Sequence, residues 1–396
     1  MSRLWDKGAP LDERILRYTA GEDHVLDARL VPYDVRGSIA HAQMLAAQKL
    51  VTGEDCARIC DGLRALGDAH ARGEWAIELD DEDCHTALER RLIESIGEAG
   101  GRVHLGRSRN DQVLTALRLY LLDAVAHLAD GADGVATALD GLASRQGEVA
   151  LPGYTHLQPA MPSSVALWAG GFASEFGDDA EGLRALRRRI SRNPLGSAAG
   201  YGVPGLELDR EATTRALGFD SVHAPVTAVQ LSRGKAEAAV LFEITLTLND
   251  LSRLASDLLL FYTYEFGFVT LPEAMTTGSS IMPQKRNPDV FELLRGAVAT
   301  GTGALNEVLG IIVKLTSGYH RDLQRIKAPL FRGIDLADAS LTIAATAIDG
   351  VRFRPEAITL PDELGAAERA NRLVLEEGLP FREAYRRIAL EMKDGD

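Results

Sequence analysis

From residue 235 to residue 265 the chain carries neither glycine nor proline, and its apolar side chains recur on one helical face. Ile244, Leu248, Leu251, Ala255, Leu258 and Tyr262 follow one another at steps of four and three. Such spacing keeps one side of a helix apolar along its length and suits a bundle, not a sheet. The stretch after Asn110 repeats the pattern with Leu114, Leu117, Leu121, Val125 and Leu128. Long helical patterns also run over about 162–190, 288–315 and 324–348, well beyond the average helix of ~11–12 residues. Strand-like alternation is scarce. The chain is therefore expected to be all-α, with a long central helical bundle. Its apolar stripes exceed what one chain can cover, which predicts completion of the bundle by other subunits.

A length of 396 residues calls for more than one core. We expect a small helical N-terminal domain over 1–105, the long-helix bundle over 106–350 and a short helical C-terminal domain over 351–396. Lys and Arg number 43 against 57 Asp and Glu, a net charge of −14, which opposes binding to nucleic acid or to an anionic membrane. A local cationic pocket stays compatible with that total. Cys56, Cys60 and Cys84 are too few and too poorly spaced for a disulfide framework or structural zinc. The opening MSRLWDKGAP lacks the apolar core of a signal peptide. We find no apolar run near the ~20 residues of a membrane span. A cytoplasmic location is expected.

Four polar segments break the helical rhythm: HLGRSRNDQ (104–112), PGYTHLQPA (152–160), TTGSSIMPQKRNPD (276–289) and SGYHRDLQRIK (317–327). Taken singly, each has a structural explanation. Ser108 or Asn110 can cap a helix, with Asp111 in its first turn. Asn287, Pro288 and Asp289 suit a helix start in the same way. Capping does not account for GSSIMPQK. Together the segments supply hydroxyls (Ser108, Thr155, Ser279, Ser280, Tyr319), amides (Asn110, Gln158, Gln284, Asn287, Gln324), His156 and the cations Arg107, Arg109, Lys285, Arg321 and Lys327. Carboxylates are few, so no metal cage is expected, and no glycine-rich phosphate loop or dinucleotide fingerprint occurs. The inventory suits a small polyanionic substrate whose protons are moved by a hydroxyl or an imidazole.

GSSIMPQKRNP closely resembles the signature loop of the fumarase/aspartase superfamily. Combined with GRSRNDQ, DEDCHTALERRL (81–92), PGYTHLQPA and YHRDLQRIK, it is similar to the argininosuccinate lyase family. The resemblance extends from LWDKG near the start to GLPFREAY (378–385). It implies an all-α fold of three domains and a homotetramer whose active sites are shared between subunits. It also implies reversible anti β-elimination of argininosuccinate to arginine and fumarate, without cofactor or metal.

Carried over residue by residue, the resemblance makes Ser279 the base, with Lys285 helping to lower its pKa. His156 or Thr155 would protonate the leaving group. Ser108, Arg109 and Asn110, with Lys285 and Asn287, would hold the fumarate-side carboxylates, and Tyr319, Gln324 and Lys327 would contact substrate. His85 matches a family histidine that we assign a supporting role. The chain departs from the family at Gly21, where a substrate-contacting serine is common, and at Leu105 and His320. It also departs at SRGKAE (232–237), which differs from the commoner S-x-R-D-F although Arg233 is still expected to reach the substrate, and its C-terminal end is short. Adenylosuccinate lyase, other fumarate-releasing lyases and a crystallin-like structural protein are the alternatives.

Overall fold

The structure is a computed structural model that describes residues 12–394; the LWDKG segment lies outside them. In chain order the helices begin with α1 (Glu13–Ala20), α2 (Asp23–Leu26), α3 (Val31–Ala47), α4 (Gly53–Ala71), α5 (Cys84–Ile96) and α6 (Glu98–Gly101). The long α7 (Arg109–Gln146) leads into the strands β1 (Ala150–Thr155) and β2 (Gln158–Ser164), then α8 (Val165–Ala185) and α9 (Arg187–Ile190). Strand β3 (Arg192–Asn193), α10 (Arg210–Leu217), strand β4 (Ser221–Val222) and α11 (Val226–Leu231) precede α12 (Lys235–Tyr262) and strand β5 (Val269–Thr270). The chain finishes with α13 (Asp289–Ile312), α14 (Lys327–Gly350), strand β6 (Arg352–Phe353), α15 (Ala366–Glu377) and α16 (Phe381–Asp394).

The protein is all-α, and its long helices follow the apolar periodicity. Leu114, Leu117, Leu121, Val125 and Leu128 of α7 are buried, as are Ile244, Leu248, Leu251, Ala255 and Leu258 of α12. By length and composition α7 could cross a membrane, but 61% of its most apolar window is buried inside the fold, as in a core helix. The segment read as a polar interruption over 152–160 is instead part of a hairpin. There β1 and β2 pair antiparallel, with an irregularity between Gly153 and Tyr154.

Packing divides the chain into two compact units, each drawn from three stretches. Among the described residues, the first comprises 12–129, Glu181–Thr245 and Thr300–Ala337; the second comprises Asp130–Ala180, Leu246–Ala299 and 338–394. Five long helices, α7, α8, α12, α13 and α14, contribute residues to both. In the first unit α3 packs on α4 and α10, and a core cluster joins Ala40, Leu119, Leu195, Leu217 and Phe219. Thr52 caps α4, Asp83 caps α5 and Asp209 caps α10, each side chain accepting a backbone N–H of the first turn. In the second unit Trp168 lies edge-on to Phe353 and donates from Nε1 to Asp257 at 2.9 Å. Its α15–α16 hairpin closes over Ala370, Ala384 and Ile388.

Candidate active site

In the first unit a cavity of about 320 Å³ is lined by Asp23, Glu82, Asp83, Arg109, Asn110, Arg233, Tyr319, Arg321, Gln324 and Lys327, among others. Its walls are set by two helix starts and two turns. Arg109 is the first residue of α7, and the turn before it is locked reciprocally. The Ser108 hydroxyl accepts the Asn110 N–H at 3.3 Å, while Asp111 accepts the Ser108 N–H at 3.0 Å. Asp111 also accepts the N–H groups of Gly196 (2.9 Å) and Ala198 (2.8 Å), tying that turn to a second loop. Burial pushes the Asp111 carboxyl up to about 6, against the lowering pull of these three donors.

Nearly every charge on the cavity wall is matched. Arg109 lies 3.3 Å from Asp83 and donates to the Thr86 hydroxyl. Arg321 lies 3.0 Å from Glu82, which adopts a positive φ of 65° to reach it. Lys327, buried on α14, places Nζ 2.7 Å from Asp23 and 2.6 Å from Asp27. Two carboxylates share that one ammonium, so one must go without full compensation. The shortfall falls on Asp23, the more exposed of the two, and burial pushes its carboxyl up to about 7. Gln324 donates from Nε2 to the carbonyls of Thr19 (2.9 Å) and Ala20 (3.0 Å) and accepts from Arg321 Nε at 3.0 Å. It therefore braces the turn at Gly21, whose φ of +56° suits glycine.

Behind this wall lies a buried ion pair, His85 Nδ1 to Asp34 at 3.0 Å. Burial disfavours charge on the ring, but Asp34 outweighs it and His85 titrates above its ordinary value. Asp34 is likewise held below its ordinary value against burial, chiefly by His85. Asp27, Cys84 and His85 offer ligand atoms within 4.8 Å of one another, a spacing a metal could use. Two of those donors are already engaged, Asp27 by the Lys327 ammonium and His85 by Asp34. The cluster therefore fits a structural charge network better than a metal ion.

The remaining sequence-predicted residues belong to the second unit. Ser279, Lys285 and Asn287 share one loop, pinned at its base by paired backbone hydrogen bonds between Thr277 and Asn287 at 3.1 and 2.8 Å. The Asn287 amide donates to the Thr277 hydroxyl (3.3 Å) and the Gly278 carbonyl (3.4 Å), so the side chain closes the loop on itself. Ser279 is half-buried, and its Oγ accepts the Ile281 N–H at 3.4 Å; Lys285 is exposed. Thr155 and His156 stand exposed at the tip of the β1–β2 hairpin. His156 and Leu157 are the central residues of the two-residue turn, at φ 54° and 59°. Positive φ at both positions is what a primed hairpin turn requires, and it is costly for histidine and leucine.

Ser108, Arg109, Asn110, Tyr319, Gln324 and Lys327 thus surround one part of the first unit, and five of these six line its cavity. Ser279, Lys285 and Asn287 form one loop of the second, and Thr155 and His156 form a hairpin tip of the same unit. Sequence reasoning missed the acidic partners Asp23, Asp27 and Glu82. Asp23 and Asp27 do carry a signal, because two carboxylates four residues apart share a helical face.

Comparison with known proteins defines the class first. A lyase family model matches residues 14–303. The fold superposes on a variant of EDDS lyase with bound fumarate, at a TM-score of 0.81 and 25% identity, over 98% of this chain and 78% of that one. It also superposes on the class II fumarase of Schistosoma mansoni, at 0.79 and 17% identity, over 96% and 89%. This is the helical fold of the fumarase/aspartase lyases. The argininosuccinate lyase of Sorangium cellulosum is 47% identical over 98% of this chain and 90% of its own length. That of Thermotoga neapolitana is 39% identical over 98% and 97%. The chain belongs to the argininosuccinate lyase family.

Proposed function

We propose that the protein cleaves argininosuccinate reversibly to arginine and fumarate by anti β-elimination. The observation that carries this reading is the meeting of two distant segments, RSRNDQ and YHRDLQRIK, in the walls of one mixed-charge cavity. A substrate bearing carboxylates at both ends and an ammonium at one matches a wall of alternating acids and bases.

In this reading Ser279 removes the proton beside a substrate carboxylate, and charge spreads onto that carboxylate. Lys285, Asn287 and loop N–H groups stabilise it when water is excluded. Thr155 or His156 protonates the departing guanidinium nitrogen. Ser108, Arg109 and Asn110 hold the fumarate-side carboxylates; Tyr319, Gln324 and Lys327 hold the rest.

The enzyme works as a homotetramer whose sites draw segments from more than one subunit. Large apolar side chains left exposed on its long helices support this: Phe242 and Leu246 on α12, one turn apart, and Leu293 and Leu309 on α13.

The test is fumarate release from four candidates. Argininosuccinate should yield fumarate, whereas adenylosuccinate, malate and aspartate should not. Faster release from any of the last three would overturn the substrate assignment. An active monomer in sedimentation would overturn the shared site.

A further inference from the structure

We infer that Arg233 is the anchor for a substrate carboxylate in the cavity of the first unit. The inference rests on the reading of the chain as an argininosuccinate-cleaving enzyme. Four cations line that cavity. Arg109, Arg321 and Lys327 each have a carboxylate of the fold beside them. Arg233 has none among the described residues. It is 5% exposed, and its Nε atom lacks a hydrogen-bond partner. Its guanidinium has only the face of Tyr319, 5.2 Å from the ring centre.

The surroundings make that charge more costly. Arg118, 1% exposed, lies close enough for the Arg233 charge to help lower its pKa, behind the larger effect of burial and the opposing pull of Glu237. Glu237 is itself fully buried, with neither carboxylate oxygen hydrogen-bonded, and forms no ion pair with Arg233. A buried cation without a counter-ion persists only when the surrounding structure imposes it.

Here the backbone imposes it. Arg118 Nη2 donates to the Ser232 hydroxyl at 3.2 Å and to the Ser232 carbonyl at 3.4 Å. Gly234 turns at φ +78°, so close to α13 that a Cβ there would stand 2.3 Å from Cγ2 of Ile312. Arg233 is clamped between these two neighbours and directed into the cavity. The acids of the wall are already engaged, so the missing counter-ion has to arrive with the ligand. A guanidinium fork in a cavity that Tyr319 and Asn110 also line suits a carboxylate.

Argininosuccinate carries carboxylates at its arginine end and its fumarate end, and inhibition by paired compounds separates them. The pairs are L-arginine against agmatine and fumarate against fumaramide, measured on wild type, Arg233→Gln and Arg233→Lys. In wild type at least one carboxylate should bind about tenfold or more tightly than its neutral counterpart. Arg233→Gln should abolish that preference and raise KM for argininosuccinate about 30-fold or more, with kcat changed far less. Arg233→Lys should keep part of the preference, because it keeps the charge, and this holds the test open if the glutamine variant does not fold. Loss confined to the arginine pair assigns the amino-acid end; loss confined to the fumarate pair assigns the other. No preference in wild type, or survival in Arg233→Gln of every preference that wild type shows, overturns the inference, as does loss of all preference in Arg233→Lys. Failure of wild type to release fumarate from argininosuccinate overturns the underlying reading instead.

Discussion

The ammonium of Lys327 lies 2.6 Å from a carboxylate oxygen of Asp27, and both side chains are shut away from solvent. The pair leaves Asp23 as the third member of a buried triad with a net negative charge. Its carboxyl titrates near 7, well above the ordinary 3.8. A raised carboxyl pKa means the folded state holds the proton more tightly than the unfolded chain. The stabilisation is therefore complete below pH ~3.8 and lost as pH rises through about 7. Asp23→Asn removes this dependence. Wild type should lose stability relative to Asp23→Asn between pH 4 and 7, by a few kcal/mol in order of magnitude, and run parallel to it above that range. Thermal unfolding of both proteins across the window checks this, and parallel curves throughout would refute it.

His85 and Asp34 form the second buried pair, and its two halves respond to opposite ends of the pH scale. The histidine's contribution is complete below 6.5 and lost as pH rises through its raised pKa. The aspartate's is complete above 3.8 and lost as pH falls through its lowered one. Asp34 also accepts Gln112 Nε2 at 3.0 Å, which links α3 to the first turns of α7. His85→Leu would strand the carboxylate and should cost about 3–5 kcal/mol. Urea unfolding at neutral pH measures it, and a loss below about 1 kcal/mol would show that Gln112 and Arg107 suffice.

Much of this was legible in the sequence, for physical reasons. Leu114 to Leu128 and Ile244 to Leu258 predicted buried helix faces because periodicity is a local property. Ser108 or Asn110 as cap, with Asp111 in the first turn, announced the start of α7 because capping is also local, and Ser108 is the one that accepts there. The β1–β2 hairpin was not legible. Its turn uses His156 and Leu157 at positive φ, where asparagine and glycine are the usual signal. Nor was the capping role of Asn287 the one adopted, since its amide turns back to Thr277 and Gly278. The acids facing Arg321 and Lys327 lie some 240 to 305 positions away in sequence, beyond any local pattern. The two packing units were hidden because long helices contribute to both.

Gly234 tests how Arg233 is held. Alanine there meets Ile312 at 2.3 Å and must also adopt φ +78°. The left-handed conformation alone costs roughly 1–2 kcal/mol, and the clash adds to it. Gly234→Ala should lower stability by about 3 kcal/mol or more and raise KM, as displacement of Arg233 would. Chemical denaturation and steady-state kinetics together check it; unchanged values of both would show that α13 yields freely.

Ser279→Ala should abolish fumarate release while leaving the fold and assembly intact. The Ser279 hydroxyl makes one long contact, the 3.4 Å bond from the Ile281 N–H, and little stability is at stake. Circular dichroism and sedimentation should match wild type. Activity within tenfold of wild type would remove Ser279 from the role of base.

Thr155 and His156 compete for the role of acid, and the hairpin tip separates them. Thr155 still pairs in register with Gln158, whereas His156 occupies the strained turn with Leu157. Strain at a bulky residue persists where something else fixes the turn, and both residues are exposed. If His156 supplies the proton, His156→Asn should cut kcat by about 10²- to 10⁴-fold, because asparagine keeps the left-handed turn but cannot protonate a leaving group. Thr155→Val should then act mainly on KM. If Thr155 is the acid, the two effects exchange. Leu157→Gly relieves the backbone without touching either candidate and should leave kcat near wild type. A large fall in kcat for Leu157→Gly would mean that the rigidity of the turn, not either side chain alone, places the proton donor.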